Sequence, residues 1–489
     1  MGIRLTRGAA LAALALALSP ANGAAATSWN KAVHSAPGLR IPRVWTTVND
    51  PGKTPGYIFL TPRAKLGQRT GPTILDSEGR VVWFHRLSRS RTAIGLQPQV
   101  YRGKPVLTWG QRPPLAKEGD LYTGNAHTVY NVIADDQYRI IARVRARGRG
   151  INTDLHEFEI TRRDTALVLG FRTVNRNLRR YGGPEHGAIL DNVVQEIDIS
   201  TGKVLFSWSA ARRVSPRNSY IKPPSTGGWD AYHMNSVTED SDGNLLVTGR
   251  HTSAVYKIDR RTGRVMWTLG GKNSDFKVSR SAAFVYPHDA QRAPDGTLTI
   301  FDNRARVLDK SHGSSRGLRL RVDAKKKTVS LARAFRHPSG SVQATSQGDV
   351  RMLDGGNVFV GWGSSPWFSE YAPDGRLLFA GHFQSVWNQS YRAFKAPWTG
   401  NPGGGPSVVA SNRSGHLIVF VSWNGATKVA SWRVLGGDSP DALAPLGEGN
   451  WQNYETKLQA PGTPAFVQIQ ALDSSGGVLS SSAVVKPTS

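Results

Sequence analysis

Polar turns and short apolar strands alternate along most of the chain, and one arrangement of them recurs. An acidic or glycine turn, then a basic residue, then an apolar run appears as ILDSEGRVVWF, VIADDQYRIIARV, EIDISTGKVLFSW, KIDRRTGRVMWTL, RVDAKKKTVSLAR and EYAPDGRLLFAG. Taking the basic residue as the mark gives Arg80, Arg139, Lys203, Arg264, Lys327 and Arg376, at intervals of 59, 64, 61, 63 and 49 residues. Units of this length built from alternating strands match a propeller blade, because a four-stranded sheet buries both faces only when other sheets flank it. The pattern predicts an all-β chain with a six-bladed β-propeller in residues 27–400, its blades running from about residue 45.

Each mark belongs on an outer hairpin, so the strands just before it are the inner ones. In three consecutive units the inner hairpin reads DLHEFEITRRDTALVLGF, YHMNSVTEDSDGNLLVTGR and YPHDAQRAPDGTLTIFDN. His156, His233 and His288 hold the same place before the turn, and the next unit has Gln347 there. Matched positions on successive inner strands point toward the propeller axis, so three imidazoles are expected to converge at one end of the channel. Strand alternation puts Asn235 on the face of His233, and Arg250, ending the antiparallel return strand, comes back level with them.

Residues 1–26 are laid out differently. Arg4 and Arg7 precede the apolar run AALAALALAL and a small-residue stretch, the layout of a cleaved secretory signal peptide. The apolar run is too short to span a bilayer and no other segment approaches the required length. The expectation is a secreted, extracellular protein without a membrane span. There is no cysteine, which excludes disulfides, thiolate chemistry and cysteine-held metals.

The formal net charge is +27, or +25 without Arg4 and Arg7. After residue 401 five basic residues face five acidic ones, so the excess lies in the first 400 residues. Runs such as RVRARGRG (143–150) read as solvated loops or as attractors of an anion, with anionic cell-wall polymer one such partner. No recognition helix or RNP-like segment is present, so nucleic acid is not expected. The neutral end, 405–489, alternates at short spacing with an Asn-Gly turn and predicts an immunoglobulin-like or fibronectin type III-like β-sandwich, with Trp423 and Trp432 in its core and PWTGNPGGGPS (397–407) as linker.

Histidine, arginine and asparagine together, without a carboxylate partner, suit a negatively charged ester. Arg and Asn donate to non-bridging oxygens, one neutral imidazole attacks, and another protonates the departing oxygen. Three histidines could also bind a metal, but an arginine beside the cation is repelled and Glu157 and Asp289 alternate to the opposite face, so no metal or other cofactor is expected. Three functions stay open on these residues. They are sulfuryl or phosphoryl transfer, hydrolysis of a sulfate or phosphate ester at the same site, and a non-catalytic propeller that binds anionic polymer.

The hairpin YHMNSVTEDSDGNLLVTGRH, the following TSAVYKIDRRTGRVMWTLGGKNSDF, and YPHDAQ with DGTLTIFDN resemble the bacterial arylsulfotransferase family of six-bladed propellers, over roughly residues 150–400. That resemblance implies an exported aryl sulfotransferase, moving a sulfuryl group from a phenolic sulfate ester to a phenolic acceptor through a sulfohistidine, without a nucleotide donor. It assigns the nucleophile to His288, sulfuryl contacts to His233 and Asn235, a clamp to Arg250, and leaving-group protonation to His156. The chain departs from enterobacterial members in lacking cysteine and a sandwich ahead of the first unit.

Overall fold

The computed structural model describes residues 30–63, 71–113, 128–304, 313–384 and 388–489. The expected signal peptide lies outside them. Among the described residues the chain is nearly all-β, with one four-residue α-helix, Ala210–Arg213, and three short 3-10 turns. No helix there is long and apolar enough to cross a membrane.

Six sheets of four consecutively paired strands account for residues 57–396. Sheet one comprises Thr92–Tyr101, Lys104–Arg112, Tyr130–Ala134 and Ile140–Val144; sheet two comprises Asn152–Ile160, Thr165–Arg176, Gly187–Asp198 and Val204–Ser209. Sheet three runs Met234–Glu239, Leu245–Gly249, Ala254–Ile258 and Val265–Gly270, and sheet four His288–Arg292, Leu298–Asp302, Arg316–Asp323 and Thr328–Phe335. Sheet five is Asp349–Met352, Val358–Gly361, Trp367–Tyr371 and Leu377–His382, with Trp45–Asn49 added outside. Sheet six joins the two ends of this region. Its first strand, Ala393–Ala396, comes late in the chain and pairs with Tyr57–Leu60, followed by Thr73–Leu75 and Val81–Phe84.

The first strand of each sheet meets the next sheet in a closed cycle, from Thr92–Tyr101 round to Ala393–Ala396 and back. Apolar side chains fill the spaces between neighbouring sheets. Leu246, Val255, Ile300 and Leu318 fill the gap between sheets three and four; Phe301, Val350, Val360 and Trp362 fill the next. Phe59, Ile74, Leu107 and Trp109 close sheet six onto sheet one. These side chains are almost fully buried, so removing one such as Phe301, which meets Trp362 edge to face at 5.9 Å, costs roughly 3–5 kcal/mol. All six repeat marks fall in the turn between the third and fourth strands of their sheets.

Residues from Ser407 onward form a three-stranded and a four-stranded sheet, which face one core containing Leu417, Val419, Trp432 and Ile469. Trp423 packs against that core. The segment expected as a linker is tied down on both sides. Trp398 Nε1 donates to Tyr138 Oη at 3.2 Å and Asn401 bonds Asp136, while Gly400 N–H donates to Thr427 Oγ1 at 2.9 Å.

Candidate active site

Regular strands would alternate side chains through the site, but the first pair of strands in each of sheets one to four carries a register shift. It falls between Ile94 and Gln97, Asp154 and Phe158, Met234 and Ser236, and His288 and Gln291. A bulge ends the local ladder and re-aims the side chains beside it. His233 and Asp289 take left-handed backbone angles, φ 47° and 57°, which strand pairing never imposes.

This corrects two expectations. His233 precedes its strand and owes its direction to that left-handed turn; it does not share a face with Asn235 through period-two alternation. Glu157 and Asp289 do not turn to the opposite face. Both reach the buried guanidinium of Arg392, at 2.8 and 3.3 Å, alongside the backbone of Asn235.

The structure brings His156, His233, His288 and Arg250 together. The rings of His156 and His233 lie 5.1 Å apart, and the charge of Arg250 acts on both His233 and His288. Arg250 is level with His233, its backbone N–H donating to the His233 carbonyl at 3.0 Å. Its Nη2 donates to Thr345 O at 3.0 Å, its Nη1 to His251 Nε2 at 2.9 Å, and the guanidinium lies 4.4 Å from the Tyr286 ring centre. Asn235 is fully buried and donates from Nδ2 to Pro287 O at 2.9 Å, fastening its strand to the residue before His288.

Each imidazole is held by Nδ1. His156 Nδ1 bonds Asp154, His233 Nδ1 bonds Asp230 Oδ2 at 2.6 Å, and His288 Nδ1 bonds Asn303 Oδ1 at 2.7 Å. The first two partners correct the expectation that no carboxylate attends the histidines. At His288 the tautomer is determined by its neighbours. Asn303 donates from Nδ2 to the carbonyls of Ala344 and Gln347, so its oxygen faces the ring and His288 Nδ1 carries the proton. Nε2 then holds a lone pair, and it accepts the Gln347 N–H at 3.1 Å. Burial, then the nearby Arg250 charge, holds the His288 ring well below the usual histidine range, so it is neutral at neutral pH.

His251, absent from the sequence-based assignment, completes the cluster. Its Nδ1 donates to Asp230 O at 2.6 Å, leaving Nε2 to accept from Arg250. Burial pushes its pKa down to about 3. The sequence signal for the missed groups was an acid two or three residues before two of the histidines, in DLH and DAYH. Nothing comparable marks Asn303, which arrives on the returning strand side of His288.

Asp230, His233 and His251 offer ligand atoms within 4.8 Å of one another, which raises the question of a metal. The donor set does not fit one. Both Nδ1 atoms already bridge Asp230 through protons at 2.6 Å, and a permanent guanidinium lies 2.9 Å from His251.

Below the histidines the inner strands carry Glu159 and Asp349. Burial, then Glu157, pushes Glu159 up to about 8, and burial pushes Asp349 up to about 7. A carboxyl raised above its unfolded value of 4.5 stabilises the fold fully in acid and loses that contribution as pH climbs to its folded value. Glu159 should therefore contribute a fall in melting temperature from about pH 5 to pH 8, set against the rise that the buried neutral rings of His251 and His288 supply, and Glu159→Gln should raise the melting temperature at pH 8 relative to that at pH 5. An unchanged slope in the variant would mean Glu159 is ionised throughout.

Solved structures that align with the chain include a protein of unknown function from Bacteroides caccae, at 12% identity and TM-score 0.42, covering 70% of this chain and 99% of that one. Another is a catalytically inactive virginiamycin B lyase from Staphylococcus aureus, at 9% identity and TM-score 0.34, covering 68% and 87%. A protein from Lactobacillus plantarum aligns at 13% identity and TM-score 0.32, covering 83% and 100%. No curated protein matches the chain. Residues 117–384, a span holding His156, His233, Asn235, Arg250 and His288, match the arylsulfotransferase (ASST) family model, and over more than half its length the chain thus belongs to the arylsulfotransferase family.

Proposed function

We propose that the protein is an exported aryl sulfotransferase whose six sheets are the blades of a β-propeller, followed by an immunoglobulin-like sandwich. The observation that carries the reading is the common presentation of the three histidines. Each is anchored through Nδ1, which leaves Nε2 as the ring nitrogen outside that anchor; the His156 and His233 rings lie 5.1 Å apart, and the charges of Arg250, His233 and His156 act on His288. Family membership implies phenolic substrates.

In the first half-reaction, the Nε2 lone pair of His288 attacks the sulfur of an aryl sulfate. The Gln347 N–H contact gives way to the new N–S bond. The S–O(aryl) bond breaks, and its electron pair leaves on the phenolate oxygen, which takes a proton from His156. Asp154 at His156 Nδ1 holds that ring in orientation for the transfer. Arg250 and the Asn235 side face the non-bridging oxygens, whose charge redistributes as the bond breaks. In the second half, a phenol gives its proton to His156 and attacks the sulfohistidine sulfur, restoring neutral His288. His233, held by Asp230, contacts the sulfuryl group beside it.

Nitrophenyl sulfate with and without added phenol tests this. Release of nitrophenol should rise several-fold with phenol and the sulfated acceptor should accumulate; release that ignores phenol and yields inorganic sulfate would make the enzyme a hydrolase. Ethylenediaminetetraacetate should leave the rate unchanged. Loss in chelator restored by zinc would place a metal in the mechanism.

A further inference from the structure

Bulging frees the histidines from strand alternation, but it also leaves His156, Asn235 two residues after His233, and the residues just after His288 without ladder partners. No ladder pair includes residues 155–157, 235, or 289 and 290. The three rings nevertheless have to meet one substrate within a fraction of an ångström, so some other connection must set the strands against one another.

Arg392 stands where that connection is needed. It precedes the first strand of sheet six, is 2% exposed, and meets all three histidine-bearing strands. Nη1 donates to Glu157 Oε1 at 2.8 Å, and Glu157 follows His156. Nη2 lies 3.3 Å from Asp289 Oδ1, and Asp289 follows His288. Nη2 also donates to the carbonyl of Asn235, two residues after His233, at 3.2 Å. Its neighbour Tyr391 donates to the same carbonyl at 3.3 Å and meets the His156 ring edge to face at 5.7 Å.

We propose that Arg392 is a positioning residue for sulfuryl transfer, a single planar guanidinium that holds the strands of His156, His233 and His288 at one height. This rests on the function proposed above. The rival role is charge balance, since Glu157 and Asp289 are buried anions that need a cation wherever it sits. Lysine separates the two. It supplies the charge, but its ammonium is one point and cannot reproduce a rigid fork reaching three strands. A displacement of about 1 Å at the reacting atoms costs on the order of 100-fold in rate.

The experiment compares Arg392→Lys with Lys395→Met. Lys395 lies three residues on, in a fully buried pair with Glu370 at 2.6 Å and over the Phe379 ring. Arg392→Lys should fold and lose roughly 10–100-fold in kcat, with KM changed less than about 3-fold. Its ring-nitrogen NMR signals for His156, His233 and His288 should all move. Lys395→Met should melt lower, yet its folded fraction should turn over at the wild-type rate with histidine signals in place. Wild-type kcat and unmoved signals in Arg392→Lys would leave Arg392 as charge balance alone, and an equal kcat loss in Lys395→Met would reduce the effect to loss of any buried pair. If Arg392→Lys fails to fold, Glu157→Gln removes one arm with little change of shape, and the His156 signal should move most; a still signal overturns the proposal. Should the wild-type protein turn over no aryl sulfate, the proposed function fails, while the histidine signals still decide what Arg392 does.

Discussion

Replacing His288 with asparagine should lower turnover of nitrophenyl sulfate by at least about 1,000-fold and leave the melting temperature within a few degrees. Asparagine places an N–H close to where Nδ1 stood, so the bond to Asn303 Oδ1 can persist and the neighbouring Phe301–Trp362 packing is undisturbed. What disappears is Nε2, the atom whose lone pair faces the site. A covalent step cannot be replaced by binding alone, and a folded variant that keeps more than about a tenth of the rate would remove His288 as nucleophile. The wild-type pH profile carries a second reading of the same atom. An ordinary histidine nucleophile is half protonated near 6.5, but burial and Arg250 keep this ring neutral well below that pH. His288 itself should impose no acid limb near pH 6.5, and a limb there that vanishes in a His288 variant with residual activity would contradict its environment.

Much of this arrangement is legible in the sequence, and the illegible part has a definite cause. The six turns are recognisable because a third-to-fourth-strand hairpin needs an acid or glycine turn and an apolar return each time, and Arg80 through Arg376 all occupy that turn. The matched places of His156, His233 and His288 follow from counting back from the turn. Arg250 comes level with His233 because antiparallel pairing returns the chain, as the 3.0 Å backbone bond between them records. Alternation then failed where the bulges begin. His233, Asp289 and Gln347 adopt positive φ without being glycine, and no local residue pattern announces that. Gly348 is a nearby exception, at φ 101° with Phe301 packed so close that a Cβ could not enter. Contacts across sheets, such as Arg392 to Glu157 or Arg250 to Thr345, join residues 235 and 95 positions apart. They depend on closure of the ring, which for sheet six pairs Ala393–Ala396 with Tyr57–Leu60. A reading that proceeds along the chain has no means of seeing that closure.

Arg250→Lys should keep the fold and some affinity for the anionic donor, and should lower kcat by roughly 10–1,000-fold, the loss that follows when one or two donors to a developing charge are misplaced. The geometry explains why charge alone is insufficient. The guanidinium lies over the Tyr286 ring, 4.4 Å from its centre, and is fastened to His251 Nε2 and to Thr345 O, so its position is defined from three directions. An ammonium on a flexible stem satisfies one of these and wanders from the others. Arg250→Ala should be worse in both kcat and KM, because the fixed cation beside His288 is then gone. The His288 ring supplies an internal check on that statement. Arg250 is the second cause, after burial, of its depressed protonation, so Arg250→Ala should raise the pH at which the ring protonates, while Arg250→Lys should raise it less. If Arg250 merely stitches sheet three to the segment before sheet five, both variants would melt early, whatever stayed folded would turn over normally, and His288 would titrate as before. A folded Arg250→Ala enzyme with wild-type kinetics would take the arginine out of the mechanism, and with it the reading of this space as a site for an anionic ester.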